Sequence, residues 1–409
     1  MADPDQFFAR TGITLIDEAE LDGSAVTPEV FGAWRAPRRG TVNPERMDNP
    51  LWDWLIRTSA NAWSATQRFG GPSAFDAGPG WCFDRFGQPA VRLPDGRVIF
   101  IAGEHEDHYD PDFFIYNDVV VRHPDGRIEV FGYPEEEFPP TDFHTATLSG
   151  DRIVLIGNLG YLEQRLAGVT QVVVLELKTW EVRMVPCTGE GPGWLHSHRA
   201  ELAEDGKSIN VSRGLLDPVM GDDRSLRENI DDWCLRLEEW RWERLTRRQW
   251  PRKEILRKDG KRLQLWELEQ VFSPARVICS NTSYFDTLSD VQLPGVSHGD
   301  FRRMMEEMQE RENQSEARLR QDGLSLDREL VESLLVPPVP HDTIESDEEE
   351  WRTKRYSIEG VTVRYKDDEY TIQLTVEGDL PPALVEQLTA DLHRKLEKLQ
   401  AAPCLVRSL

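Results

Sequence analysis

Apolar runs at residues 98–102 and 153–156 contain no charged side chain, and such runs suit strands covered on both faces. A short, half-apolar strand precedes each, at 90–93 and 145–148, and a third is expected at 199–202. Turn glycines punctuate the pattern: Gly96, Gly150, Gly206 and Gly260 recur at steps of 54, 56 and 54 residues. Each sits in an Asp-Gly or Ser-Gly pair, where a tight hairpin needs positive φ. After a long polar connection a third strand is expected at 118–122, 171–177 and 232–237. A fourth follows at 127–131, 180–185 and 240–245. Four strands per unit at a period near 50 residues is the pattern of a propeller blade or a solenoid array.

Outside residues 80–290 the spacing becomes helical. Asn49 caps and Pro50 opens a helix expected to reach residue 67, with Leu51, Trp54, Leu55, Thr58 and Ala62 on one face. Phe301, Met304 and Met308 mark a charged helix over 298–321, and a short one follows at 327–335. Pro337, Pro338 and Pro340 and the acidic run 347–350 read as an exposed linker. Strands at 361–365 and 370–376 then precede a helix on which Leu384, Leu388, Leu392, Leu396 and Leu399 form one stripe. The expected domains are 1–79, a segment with a Trp-rich helix; 80–290, the β repeats; 291–352, charged helices and linker; and 353–409, a small α+β appendage.

Within the repeats, several short motifs recur. Phe143-His144-Thr145-Ala146 and Ser197-His198-Arg199-Ala200 open units; Ile101-Ala102-Gly103 and Ile156-Gly157 close second strands. Asn117-Asp118-Val119 sets a polar residue before an apolar strand, and Trp180 and Trp240 stand near unit ends. On these residues the chain resembles the Kelch repeat family over about 80–290. The resemblance implies a mainly β fold, a Kelch-like β-propeller or partial propeller of four-stranded blades, with flanking helices and a small C-terminal α+β domain. It also implies protein interaction through loops at one face. The usual glycine pair is replaced by Ala102-Gly103, Gly157-Asn158 and Arg213-Gly214, and the Asp259-Gly260 unit lacks a closing glycine.

Charge narrows the partners. With 48 Lys and Arg against 73 Asp and Glu, the net charge is -25, which disfavours nucleic acid and acidic membrane surfaces. The five cysteines, Cys82, Cys187, Cys234, Cys279 and Cys404, show no paired spacing and read as reduced, cytoplasmic thiols. No secretion signal or apolar span is expected. No cofactor is implied.

The richest chemical stretch is 103–112, where His105 and His108 lie among Glu104, Glu106, Asp107, Asp110 and Asp112. These are ligand types for a divalent metal, yet one segment supplies fewer fixed ligands than a catalytic zinc site requires. Read without a metal, the stretch is an acidic solvated loop. His144 and His198 fall at matching repeat positions, where an imidazole can bond a neighbouring unit, and Gln88 is their counterpart in the first. Asp142-Phe143-His144 beside a threonine has the residue types of a nucleophilic triad, without the elbow motif that would support one. The expected binding residues are Glu104, His105, Asp107, His108, Asp110, His144, Tyr161, Arg165 and His198, on loops 104–112, 161–168 and 215–227. The expected role is non-catalytic binding of a protein partner. A metal-dependent enzyme using the His105 and His108 loop, or an acidic antagonist of a basic protein, are the alternatives.

Overall fold

The computed structural model describes residues 4–72, 77–107, 110–217, 226–272, 298–345 and 352–409. The chain is mainly β, with several small sheets and a few helices, and divides into two units, Met1–Arg248 and Gln249–Leu409. Among the described residues no helix is long and apolar enough to cross a membrane.

Three antiparallel meanders follow one another in the first unit. Ala90–Arg92, Val98–Ile101, Val119–Arg122 and Ile128–Gly132 make the first sheet. Thr145–Ser149, Arg152–Ile156, Val172–Glu176 and Val182–Met184 make the second. Arg199–Leu202, Ser208–Ser212, Trp233–Arg236 and Arg241–Arg244 make the third. These are the strands the periodicity predicts, with ends that differ by no more than a residue or two.

Burial explains why the second strands are apolar throughout. Val98 and Phe100 pack with Phe31, Leu51 and Leu55 of the N-terminal helices, whereas Ile99 and Ile101 pack with Ile153 and Leu155 of the second sheet. Val154 and Ile156 face the other way, onto Ile209, Val211 and Trp233 of the third. Each fully buried side chain of this kind is worth about 1.5–3 kcal/mol. The third sheet differs: Ile209, Val211, Leu235 and Trp242 point into the stack, and its far face presents exposed Arg199, Glu201, Asn210 and Arg241.

Junctions between sheets repeat one hydrogen-bond pattern. At the first, the Phe143 amide donates to Gly87 O (3.1 Å) and the Gly103 amide to Thr141 O (2.9 Å). At the second, the Ser197 amide donates to Phe143 O (2.8 Å) and the Asn158 amide to Leu195 O (2.8 Å). Gly87, Phe143 and Ser197 all hold positive φ, at 60°, 48° and 52°. A Cβ on Gly87 would lie 2.3 Å from the Phe143 nitrogen, so a side chain there blocks the rung itself. Turn tryptophans reinforce the stack from outside. Trp180, at φ 64°, stacks on Phe131 of the first sheet at 5.3 Å, and Trp240, at φ 51°, lies under Arg152 and Arg183 of the second.

Outer edges are covered. Glu45–Arg46 pairs with the first sheet and Thr188–Gly189 with the third. On the second, the Asn43 side chain accepts from the Val182 amide (2.9 Å) and donates to its carbonyl (2.7 Å), imitating a strand. The helix expected over 49–67 is two helices, Pro50–Thr58 and Ala62–Phe69. Ser59 takes left-handed φ 54° and Asn61 caps the second through the Ser64 amide, so local capping breaks the run. Trp52, which is not on the stripe of Leu51, Trp54, Leu55, Thr58 and Ala62, is also buried and stacks on Trp81 at 4.6 Å.

The second unit corrects the predicted domain map. Its sheet runs Asp342–Ile344, Thr353–Ile358, Val361–Asp367, Thr371–Glu377, Arg252–Arg257, Cys404–Ser408, antiparallel throughout. The strand before the Asp259-Gly260 turn, expected to belong to a fourth repeat, is therefore interior to this sheet. Helix Pro382–Gln400 buries Leu388, Leu392, Leu396 and Leu399 in a core shared with Ile255, Leu265 and Leu330. The repeats end near Arg248 rather than residue 290, and 353–409 is one part of a larger unit. Nor is 336–345 a free linker, since Pro337 is buried and Val339 packs on that core. Residues 346–351 and 273–297 lie outside the described residues.

Two stability measurements check these assignments. Gly150 has φ 65° and open space around its missing Cβ, so Gly150→Ala meets only backbone strain, about 1 kcal/mol. Gly87→Ala adds the steric block and is expected to cost about 3 kcal/mol or more in denaturant unfolding. Equal costs would show that the rung is not under the constraint described. Leu388→Asp is expected to remove hydrogen-exchange protection from Arg252–Arg257 together with Thr371–Glu377; retained protection of Arg252–Arg257 would separate that strand from the C-terminal core.

Candidate functional site

Gln88, His144 and His198 each follow the positive-φ residue of a junction, so the two histidines share one repeated position, as their spacing predicts. Gln88 Nε2 donates to Ala102 O (3.1 Å), and His198 Nε2 lies 2.9 Å from Thr145 Oγ1. Neither ring nitrogen of His144, nor Nδ1 of His198, has a hydrogen-bond partner among the described residues. Burial pushes the pKa of both imidazoles down to about 3, and for His198 the neighbouring His144 and His196 add to the effect. Neutral, enclosed imidazoles between sheets are structural groups.

Asp142, buried beside them, does not hydrogen-bond His144. Its Oδ1 accepts the Gly160 amide (2.6 Å), its own amide donates to Asn158 Oδ1 (3.0 Å), and burial raises its pKa against the pull of Gly160 and Arg165. That arrangement anchors the connection between second and third strands of the second sheet. From this anchor Tyr161 reaches the preceding connection: its hydroxyl accepts the Ile115 amide (3.0 Å) and its ring meets Phe113 edge-on at 5.8 Å. Arg165 turns the other way, donating to Gly160 O (3.1 Å) and forming a salt bridge with Asp217 of Leu215–Asp217 in the third.

The stretch expected to be an open acidic loop is instead a β-hairpin, Glu104–Asp107 with Asp110–Ile115. Its base is fixed by a reciprocal backbone bridge between Glu104 and Phe86. On the returning strand, Arg39 donates to Ile115 O (2.8 Å) and covers the Phe114 ring at 4.3 Å. Beneath it, Arg85 and Asp118 form a two-pronged ion pair whose side chains are 0% and 4% exposed, and Trp81 Nε1 donates to the same carboxylate (2.8 Å). The three connections thus form one rim, tied by Tyr161 and Arg165.

On this rim four large apolar side chains are exposed, Phe113 (47%), Leu162 (67%), Leu166 (57%) and Val169 (47%), and a fifth, Phe86 (60%), lies beside it on the segment bridged to Glu104. No polar motif marks these positions, and in the sequence they resemble core residues. Tyr161 and Arg165, expected to be binding groups, are chiefly ties within the rim. His144 and His198 lie in the stack rather than on the rim, and Glu104 is buried. His105 Nδ1 sits 3.2 Å from Asp84 O. His108 lies outside the described residues, and Asp107 and Asp110 are opposed strand positions in the hairpin register. Among the described residues no three His, Cys, Asp or Glu side chains converge as a metal cluster. No protein-family model and no curated protein matches this chain.

The buried histidines give a pH signature. Their folded pKa lies below the ordinary 6.5, so the unfolded chain binds protons first and stability falls as pH drops from 6.5 toward 3. At pH 5 the loss is about 2 kcal/mol per histidine. His144→Gln and His198→Gln, which install the residue type of Gln88, are expected to shrink the stability difference between pH 7.5 and pH 5 by that amount each. Urea unfolding at the two pH values measures it; an unchanged difference would mean protons reach the imidazoles in the folded state.

Proposed function

We propose that this chain is a non-catalytic binding protein: its three-sheet stack is a partial propeller of Kelch-like blades, and the connections between second and third strands dock a protein partner. The supporting architecture is the repeated junction, the doublets Ala102-Gly103, Gly157-Asn158 and Arg213-Gly214 after each second strand, and the turn tryptophans. One observation carries the function: four exposed apolar side chains on two linked connections, with Phe86 on the segment bridged to the first, stand on a rim whose backbone is fixed by internal hydrogen bonds. Scattered surface apolar residues need no explanation, but a group on two linked connections marks an interaction site. The polar groups there hold the rim together, which supports preorganised binding rather than turnover. Free thiols at Cys187, Cys234 and Cys404 fit a reducing compartment such as the cytoplasm.

A photo-crosslinking amino acid at position 86 or 169 tests this reading, with position 201 on the polar face of the third sheet as control. In cells, discrete protein adducts are expected from the rim positions only, and Leu162→Ser with Leu166→Ser should abolish them while changing stability by less than about 0.5 kcal/mol. Identical adducts from all three positions, or none from the rim, would remove the rim as the binding site.

A further inference from the structure

Which partner chemistry the rim accepts follows from the charges beside its apolar groups, and this inference rests on the docking role just proposed. Residues 104–112 carry five carboxylates, those of Glu104, Glu106, Asp107, Asp110 and Asp112, and no Lys or Arg. Glu106 and Glu163 are exposed, one on the hairpin and one directly after Leu162. The nearby arginines are already neutralised. Arg85 is buried against Asp118, and Arg165 pairs with Asp217 at 16% and 10% side-chain exposure. Apolar groups are thus presented to solvent with negative charge alongside and no competing free guanidinium from these two residues. The chain's net charge of -25 extends the same sign to long range.

The geometry points to a cationic, apolar-bearing segment of a partner protein as the occupant. Its Leu or aromatic side chains would cover Phe86, Phe113, Leu162, Leu166 and Val169, and its Lys or Arg side chains would meet Glu106 and Glu163. Each half of that chemistry excludes a class. A polyanion is repelled by Glu106, Glu163 and the chain's net charge, and a purely basic tail leaves the apolar groups uncovered. Charge of this kind steers encounter and selects partners, while burial of the apolar groups holds the complex. Binding is therefore expected to weaken as salt screens the pair.

The test uses three synthetic peptides of equal length on the full chain: Lys/Leu, Glu/Leu and Lys/Ser, each followed by fluorescence anisotropy at low and physiological salt. The Lys/Leu peptide should bind at least tenfold more tightly than either other. Leu162→Ser with Leu166→Ser, and separately Glu106→Gln with Glu163→Gln, should each weaken it tenfold. Glu201→Gln with Glu204→Gln, which removes two exposed carboxylates elsewhere on the surface, should leave it unchanged. Equal weakening by that control pair would reduce the effect to net charge and overturn the inference. Rim-dependent binding of the Glu/Leu peptide instead would overturn the cationic assignment and leave the docking role standing. If the Lys/Leu peptide fails to bind, or binds without regard to Leu162 and Leu166, the cationic segment is excluded, and the crosslinking result then decides whether the rim docks anything.

Discussion

Two backbone hydrogen bonds at each sheet junction set the geometry on which the rest of the first unit depends. One joins positive-φ residues, from Phe143 to Gly87 and from Ser197 to Phe143; the other joins the end of a second strand to the segment entering the next sheet. Because both partners are backbone, the pattern tolerates Gly, Phe or Ser at the same position, at the cost of left-handed strain in the last two. It places the first strands of neighbouring sheets side by side. With that register set, every connection between second and third strands leaves at the same end, and the rim follows.

Much of this order was legible in the chain because it is local. The turn glycines, the apolar runs and the doublets after second strands are short-range signals, and the strands appear where they fall. Other features arise from contacts that sequence spacing does not encode. Arg252–Arg257 looks like the start of another repeat, yet its partners are more than a hundred residues away, at Thr371–Glu377 and Cys404–Ser408. The break at Ser59 turns on a single left-handed residue followed by a cap, inside a stretch with continuous helical spacing. The rim was half visible: its connections were predicted, but its exposed Phe and Leu side chains look like core residues until the fold shows them outside.

Polar groups in the stack show how buried chemistry can be mistaken for active chemistry. His144, His198, Asp142 and Asn158 are the residue types of a catalytic site, and the first, third and fourth lie within seventeen residues of one another. The carboxylate and the amide anchor backbone: Asp142 holds Gly160, and Asn158 Nδ2 donates to Pro140 O (2.9 Å). Such networks specify which connection sits where, and an unpartnered imidazole within them makes acid the condition under which that specification weakens.

The polar far face of the third sheet bears on how the array can change over evolutionary time. The first two sheets are apolar on each side, so a duplicated unit of that type finds matching surfaces only upstream of the third sheet. Appended after the third, it would meet Arg199, Glu201, Asn210 and Arg241 instead of a hydrophobic wall. The lineage can therefore lengthen its stack by internal duplication upstream of Arg199, while growth at the distal end first requires that these four positions be rewritten together.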